Sequence, residues 1–101
     1  MKKHSAILLS NATSTGASAG VDSSEVIQHT VTIVVTGGSA SATVRIDGCD
    51  LGGNWVNISQ NVISSTGNYL VNFSGYYHQV RANISSYSSG TFTVNWSGVS
   101  Y

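Results

Sequence analysis

The strongest constraint in this sequence is a period of two. From residue 26 onwards, apolar side chains recur at alternate positions in six successive runs, each closed by a turn signal. In residues 26–36, Val31, Ile33 and Val35 are set on one face, with Thr and His on the other. Ala42, Val44 and Ile46 alternate with Thr43, Arg45 and Asp47. Val56 and Ile58, then Tyr69, Val71 and Phe73, then Val80, Ala82 and Ile84, and finally Phe92, Val94 and Trp96 repeat the pattern. Alternation of β-branched and aromatic residues fits a half-buried pleated strand. No stretch long enough for a helix shows a 3.6-residue period. Gly37-Gly38-Ser39, Gly52-Gly53, Ser65-Thr66-Gly67, Ser74-Gly75 and Ser88-Ser89-Gly90 read as turns. With a short strand at residues 5–9, the pattern predicts an all-β chain of about 7–8 strands. The expected architecture is an antiparallel β-sandwich, jelly-roll-like first and immunoglobulin-like second. The expected core is Val44, Ile46, Val71, Phe73, Val80, Ile84, Val94 and Trp96.

The first 25 residues read differently from the rest, so the chain divides into 1–25, a strand and extended arm, and 26–101, the sandwich. Lys2-Lys3-His4 precedes Ala6-Ile7-Leu8-Leu9, an apolar run too short for the hydrophobic region of a secretory signal. Residues 10–25 are small and polar, without the bulk for a core. They read as an arm ordered only by a contact with a neighbouring molecule, for which Ile7, Leu8 and Leu9 form a compact apolar anchor.

Composition excludes several functions. Only 8% of residues are charged, and four cations balance four carboxylates. Nucleic acid is therefore not an expected partner, since displacing counterions needs a basic stripe. No apolar run reaches the ~18 residues of a membrane span. Ser, Thr, Asn and Gly supply 46 of the 101 residues, so the polar surface is made of hydroxyls and amides. Proline is absent and no Lys follows Lys3, which leaves strand edges without their usual guards. That argues for a homo-oligomer, taken as a trimer.

The chemistry-bearing residues are few and dispersed. His4, His29 and His78 lack metal-ligand spacing and read as solvated or interface side chains. Cys49 has no partner cysteine and reads as a lone thiol of a reducing cytosol. Asp47, Asp50 and Asn54 could offer oxygens to calcium, but they fit better as a turn whose side chains cap the backbone. Five N-x-S/T sequons, at Asn11, Asn57, Asn72, Asn83 and Asn95, are expected by chance in so hydroxyl-rich a chain. No catalytic residue, cofactor or metal is expected, and the protein does not read as an enzyme. The aromatic residues Trp55, Tyr76, Tyr77, Tyr87 and Tyr101 fall at strand ends or out of phase with the core. They suit a protein interface or sugar stacking. Tyr76 and Tyr77 cannot both point inward.

The segment Ile46-Asp47-Gly48-Cys49-Asp50-Leu51-Gly52-Gly53-Asn54-Trp55-Val56 resembles a G-S-x-D-G-G-x-x-W turn of small virion proteins of tailed bacteriophages. Gly67-Asn68-Tyr69, the run Gly75–Ile84, Ser89–Val94 and the opening Leu8–Gly16 are similar to the same proteins, so the resemblance spans most of the chain. It departs where Cys49 stands for the usual Ser and Leu51 interrupts the turn. The resemblance implies a capsid decoration, or cement, protein: a small β-sandwich, usually trimeric, bound to the major capsid protein on the capsid exterior and assembled in the host cytoplasm. The residues expected at the capsid or subunit interface are Ile7, Leu8, Leu9, Asn11, Thr13, Trp55, Tyr76, Tyr77 and Arg81. A similar strand–turn–strand pattern occurs in discoidin-like and other carbohydrate-binding modules. The alternative is therefore a module of a tail fibre or spike that binds surface glycan.

Overall fold

The computed structural model describes residues 2–100; Met1 and Tyr101, the latter one of the aromatic candidates, lie outside them. Seven strands follow in order: β1 (Lys2–Ala12), β2 (Gly16–Ala17), β3 (Val21–Asp22), β4 (Val26–Cys49), β5 (Trp55–Ile63), β6 (Gly67–Ser74) and β7 (Gln79–Ser100). Every pairing is antiparallel. The described residues contain no helix.

The structure passes straight through two of the expected turns. Residues 37–39 and 88–90 lie inside β4 and β7, which run beside each other for nearly their whole length. A straight strand of 24 residues would span roughly 80 Å. The longest dimension of the molecule is 41 Å, so the β4–β7 ribbon folds over on itself. The corner is where the register shifts, between Thr36 and Ser41. Gly37 and Gly90 take φ of 113° and 106° there, a region open to glycine at little cost. At Gly90 a Cβ would stand 3.0 Å from the Ala40 Cβ and 3.1 Å from the Phe92 ring. The Tyr87 hydroxyl closes the corner by donating to the Gly90 carbonyl at 2.6 Å. The irregularity also switches the buried parity of β4. Val31, Ile33 and Val35 point inward before it, and Ala42, Val44 and Ile46 after it.

The corner divides the sandwich into two sheets. The first holds β1, the second half of β7, the first half of β4, and β6. The second holds β2 with β3, the first half of β7, the second half of β4, and β5. If β2 and β3 count as one segment and each half-strand as its own, the sheet orders in chain numbering are 1-8-3-6 and 2-7-4-5. That is the strand order of a jelly roll. The two inner faces meet in one core built on Val31, Ile33, Val44, Ile46, Val80, Ile84, Phe92 and Val94.

Several expectations change. The N-terminal segment belongs to the sandwich. β1 pairs with β7 along its length, Leu8 enters the core, and β2 and β3 extend the contact. What holds residues 10–25 is thus β7, mostly through backbone hydrogen bonds that ask little of the side chains, with Ser23 bonded to the carbonyls of Tyr77 and His78 just before it. Val71 and Phe73 are only half-buried, because β6 is an outer strand whose one partner among the described residues is β4. His29 is buried, not solvated. It shares the odd parity of Val31 and so points inward.

His29 is satisfied on both nitrogens. The Trp96 indole N–H donates to Nδ1 at 3.0 Å, and Nε2 donates to the Gly75 carbonyl at 2.8 Å. An indole only donates and a carbonyl only accepts, which fixes the neutral tautomer. The imidazole stacks on Phe73 with centroids 4.5 Å apart. Burial pushes its pKa below the ordinary 6.5, against the opposing pull of the Gly75 carbonyl.

Two outcomes follow from this packing. Leu8→Ala should cost about 2–5 kcal/mol in urea denaturation, as a core position does; an unchanged midpoint would show β1 to be detachable. For His29, the unfolded chain takes up a proton near pH 6.5 while the folded one resists. Its contribution is therefore complete above that pH and fades as pH falls. Between about pH 7.5 and pH 5, wild type should lose stability more steeply than His29→Gln. Equal slopes would mean that His29 titrates alike in both states.

Candidate functional site

The strands leave three surfaces: the outer face of each sheet and the loop end beside β6. On the second sheet, Asp47 of β4 sits across from Arg81 on β7 and Asn57 on β5. Its carboxylate is almost fully buried. Arg81 Nε donates to Asp47 Oδ2 at 3.2 Å, and Arg45 Nε lies 3.9 Å from Oδ1. Two positions along, Trp55 pairs with Cys49 and offers its ring to the Arg81 guanidinium, 4.2 Å from the centroid. The far edge of the indole reaches Gly20, where a Cβ would stand 3.0 Å from it and 2.6 Å from Gln79 Oε1. Arg81 and Trp55 thus engage each other and tie β5, β4, β7 and the β2–β3 segment together. A cation held by a buried carboxylate and an aromatic face has little left to offer a partner. Cys49 is buried in the same region.

The outer face of the first sheet is different in kind. The register sets Ile7, Asn95, Thr32 and Leu70 in one row across its four strands. Ser5, Ser97, Thr30 and Asn72 form the next row, and Lys3, Val99, Gln28 and Ser74 a third. Lys3 is the one charge among these twelve side chains. Ile7 and Leu70, both 65% exposed, stand at opposite flanks. The Thr30 hydroxyl donates to Asn72 Oδ1 at 2.8 Å, which orders the middle of the face. Asn11 is exposed beside it, its N–H donating to Thr93 Oγ1 at 3.1 Å. Thr13 is exposed in the following turn. Of the compact apolar trio, only Ile7 is presented to solvent; Leu8 is buried and Leu9 packs partly against the core.

At the loop end, a cleft of about 530 Å³ opens between residues 50–52 and 76–78, with Ser24 on its rim. Tyr76 is 59% exposed and Leu51 87%. Tyr77 turns inward, edge-on to Phe73 at 6.0 Å and to His29 at 5.8 Å. The tyrosine pair therefore divides as the sequence requires. Asp50 shapes its loop by accepting from the Asn54 N–H at 3.0 Å and from Asn54 Nδ2 at 3.2 Å. These bonds hold its carboxyl below the usual carboxylate range. Asp47 and Asp50 thus have separate structural partners. Among the described residues, no three His, Cys, Asp or Glu side chains gather as metal ligands would.

The interface candidates are not brought to one place. Ile7, Asn11 and Thr13 lie on or near the first sheet's face, Trp55 and Arg81 lie on the second, and Tyr76 stands at the loop end. Sequence reading passed over Thr30, Thr32, Leu70, Asn72 and Asn95. Their signal was present in the outward parity of each strand, but it became a surface only once the register aligned four strands.

No family model matches the chain, and neither does any curated protein. Solved structures do. The SPBc2 prophage-derived protein YomS superposes with a TM-score of 0.75 over 98% of this chain and 94% of its own, at 18% identity. The PBSX exported protein XepA reaches 0.80 over 98% of this chain at 17% identity, and the chain spans 38% of XepA's length. A Bacillus endospore appendage protein from disulfide-linked pili matches at 0.54 and 13% identity. At such identities the likeness is one of fold: the chain shares its jelly-roll sandwich with these proteins.

Proposed function

We propose that this protein is a non-enzymatic structural component of a bacteriophage particle, a decoration protein that seats on the major capsid protein as a homo-oligomer. The observation that carries this reading is the outer face of the first sheet. It is four strands wide, nearly uncharged, built of hydroxyls and amides, and flanked by exposed Ile7 and Leu70. Such a surface suits a broad protein contact that depends on shape and short hydrogen bonds rather than on charge. A net charge of zero lets copies crowd on a shell without repulsion. The fold shared with YomS, a prophage-derived protein, along nearly the full length of both chains supports the same setting.

A second reading rests on the loop-end cleft. Tyr76 and Leu51 offer apolar area beside the Asp50 carboxylate, a combination that suits the face and hydroxyls of a sugar ring. On that reading the chain is a glycan-binding module of a tail fibre or spike.

Copy number in purified particles separates the two. A decoration protein should be found by quantitative mass spectrometry in proportion to the major capsid protein, whereas a few copies per particle would move it to the tail. In co-sedimentation with capsids, Ile7→Lys with Thr32→Lys should weaken binding by roughly tenfold or more. Trp55→Ala, on the opposite sheet, should leave it unchanged, and salt should matter little. If Tyr76→Ala abolished attachment while the double variant bound normally, the contact would lie at the cleft and the glycan reading would take its place.

A further inference from the structure

Among the described residues, one strand edge is open, regular and without charge. A free edge presents unpaired N–H and C=O groups, and proteins ordinarily guard it with lysine, proline, bulges or brevity. β1 carries Lys2 and Lys3 and breaks register twice against β7. β2 and β3 have two residues each. β5 is interrupted opposite Ile46 and Asp47. β6 has none of these guards. Its eight residues, GNYLVNFS, include no charge and no proline, and it pairs with β4 from Gln28↔Ser74 to Val35↔Gly67 without a shift.

The hydrogen-bond phase of this edge can be read from one bond. The Gly75 N–H donates to the Ile27 carbonyl at 2.9 Å. That pair continues the β4–β6 register, so it marks the hydrogen-bonded positions of the ladder, which recur at every second residue. Residues 67, 69, 71 and 73 therefore turn their N–H and C=O groups toward β4. Asn68, Leu70, Asn72 and Ser74 turn theirs toward the open side. On the inner face of the same strand, Tyr69, Val71 and Phe73 are half-buried although they pack against the core. A further strand beside β6 would cover them.

We propose that the missing strand is β6 of a second copy of this chain, paired antiparallel across a two-fold axis at Val71. In that register Asn68 faces Ser74 and Leu70 faces Asn72, and these are the positions whose backbone groups are free on both copies. Tyr69 meets Phe73 and Val71 meets itself on the inner side, pairing aromatic with aromatic across the strands. The strand is thus complementary to itself, and no like charges meet. Two first sheets join into one eight-stranded sheet. The pairing does not depend on the particle reading, and the test uses the free protein, so either can fail alone.

Sedimentation equilibrium of the full chain should show a species of twice the 10.5 kDa chain mass. Leu70→Lys, at a position 65% exposed, should keep the circular dichroism of the fold and weaken self-association by roughly tenfold or more. Val62→Lys, exposed on the β5 edge, should leave the dimer intact. In wild type, hydrogen exchange should show the amides of Asn68, Leu70, Asn72 and Ser74 protected at high concentration and released on dilution. A monomer at all concentrations, a trimer or larger ring, or those four amides exchanging freely in the assembled protein would overturn the proposal. So would dissociation by Val62→Lys with Leu70→Lys still paired.

Discussion

Everything in this molecule depends on the β4–β7 ribbon bending once in its middle. The two longest strands pair with each other, and each half-ribbon is the centre of one sheet. The remaining strands add to its sides. The bend is possible because glycine occupies the left-handed positions at Gly37 and Gly90 and leaves room for Ala40 and Phe92 to close in. An irregularity at the same point turns β4 over by one residue, so that a single strand presents its apolar side to the same interior from both sheets. Without that switch, one of the two apolar sets of β4 would face water.

The few charges are distributed just as unevenly. Arg45, Asp47 and Arg81 cluster on the outer face of the second sheet, where the buried Asp47 carboxylate lies between the two cations and Trp55 covers Arg81, the nearer of them. A buried carboxylate stripped of its partner is costly, so this cluster ties neighbouring strands together. The first sheet's face is left almost neutral. The two sides of the sandwich therefore differ in chemistry: one carries the Arg45–Asp47–Arg81 cluster, and the other is built almost wholly of uncharged side chains.

Much of this architecture was legible in the period-two pattern. The all-β class, the antiparallel sandwich and six of the eight expected core residues follow from alternation, while the choice of jelly roll over an immunoglobulin-like key rests on the strand pairings. Three features were not legible. Gly37-Gly38-Ser39 and Ser88-Ser89-Gly90 look like hairpin turns because glycine serves equally a reversal and a bend, and only pairing tells them apart. Val71 and Phe73 have core parity, but exposure at an edge depends on which strand lies outermost, a long-range fact. Arg81 and Trp55, read as interface residues, are occupied with Asp47 and with each other. That engagement needs the β4–β5 and β4–β7 registers to bring three strands' side chains together, and no local spacing encodes it.

The polar N-terminal segment takes on meaning from the order of pairing. β1, β2 and β3 all hydrogen-bond to β7, which follows every other strand in sequence, and among the described residues none of them pairs with another strand. During synthesis they wait while the whole of the ribbon is made. An apolar strand exposed for that interval would invite aggregation. Here the waiting segment carries Lys2 and Lys3 at its start and mostly Ser, Thr, Ala and Gly after residue 10, with one apolar side chain, Leu8, that is buried in the core. Its final contact is made chiefly by the backbone, which gains partners only when β7 arrives. The composition that looks too poor to order itself is thus what a late-pairing edge strand requires: soluble alone, and held in place by main-chain bonds once the ribbon is complete.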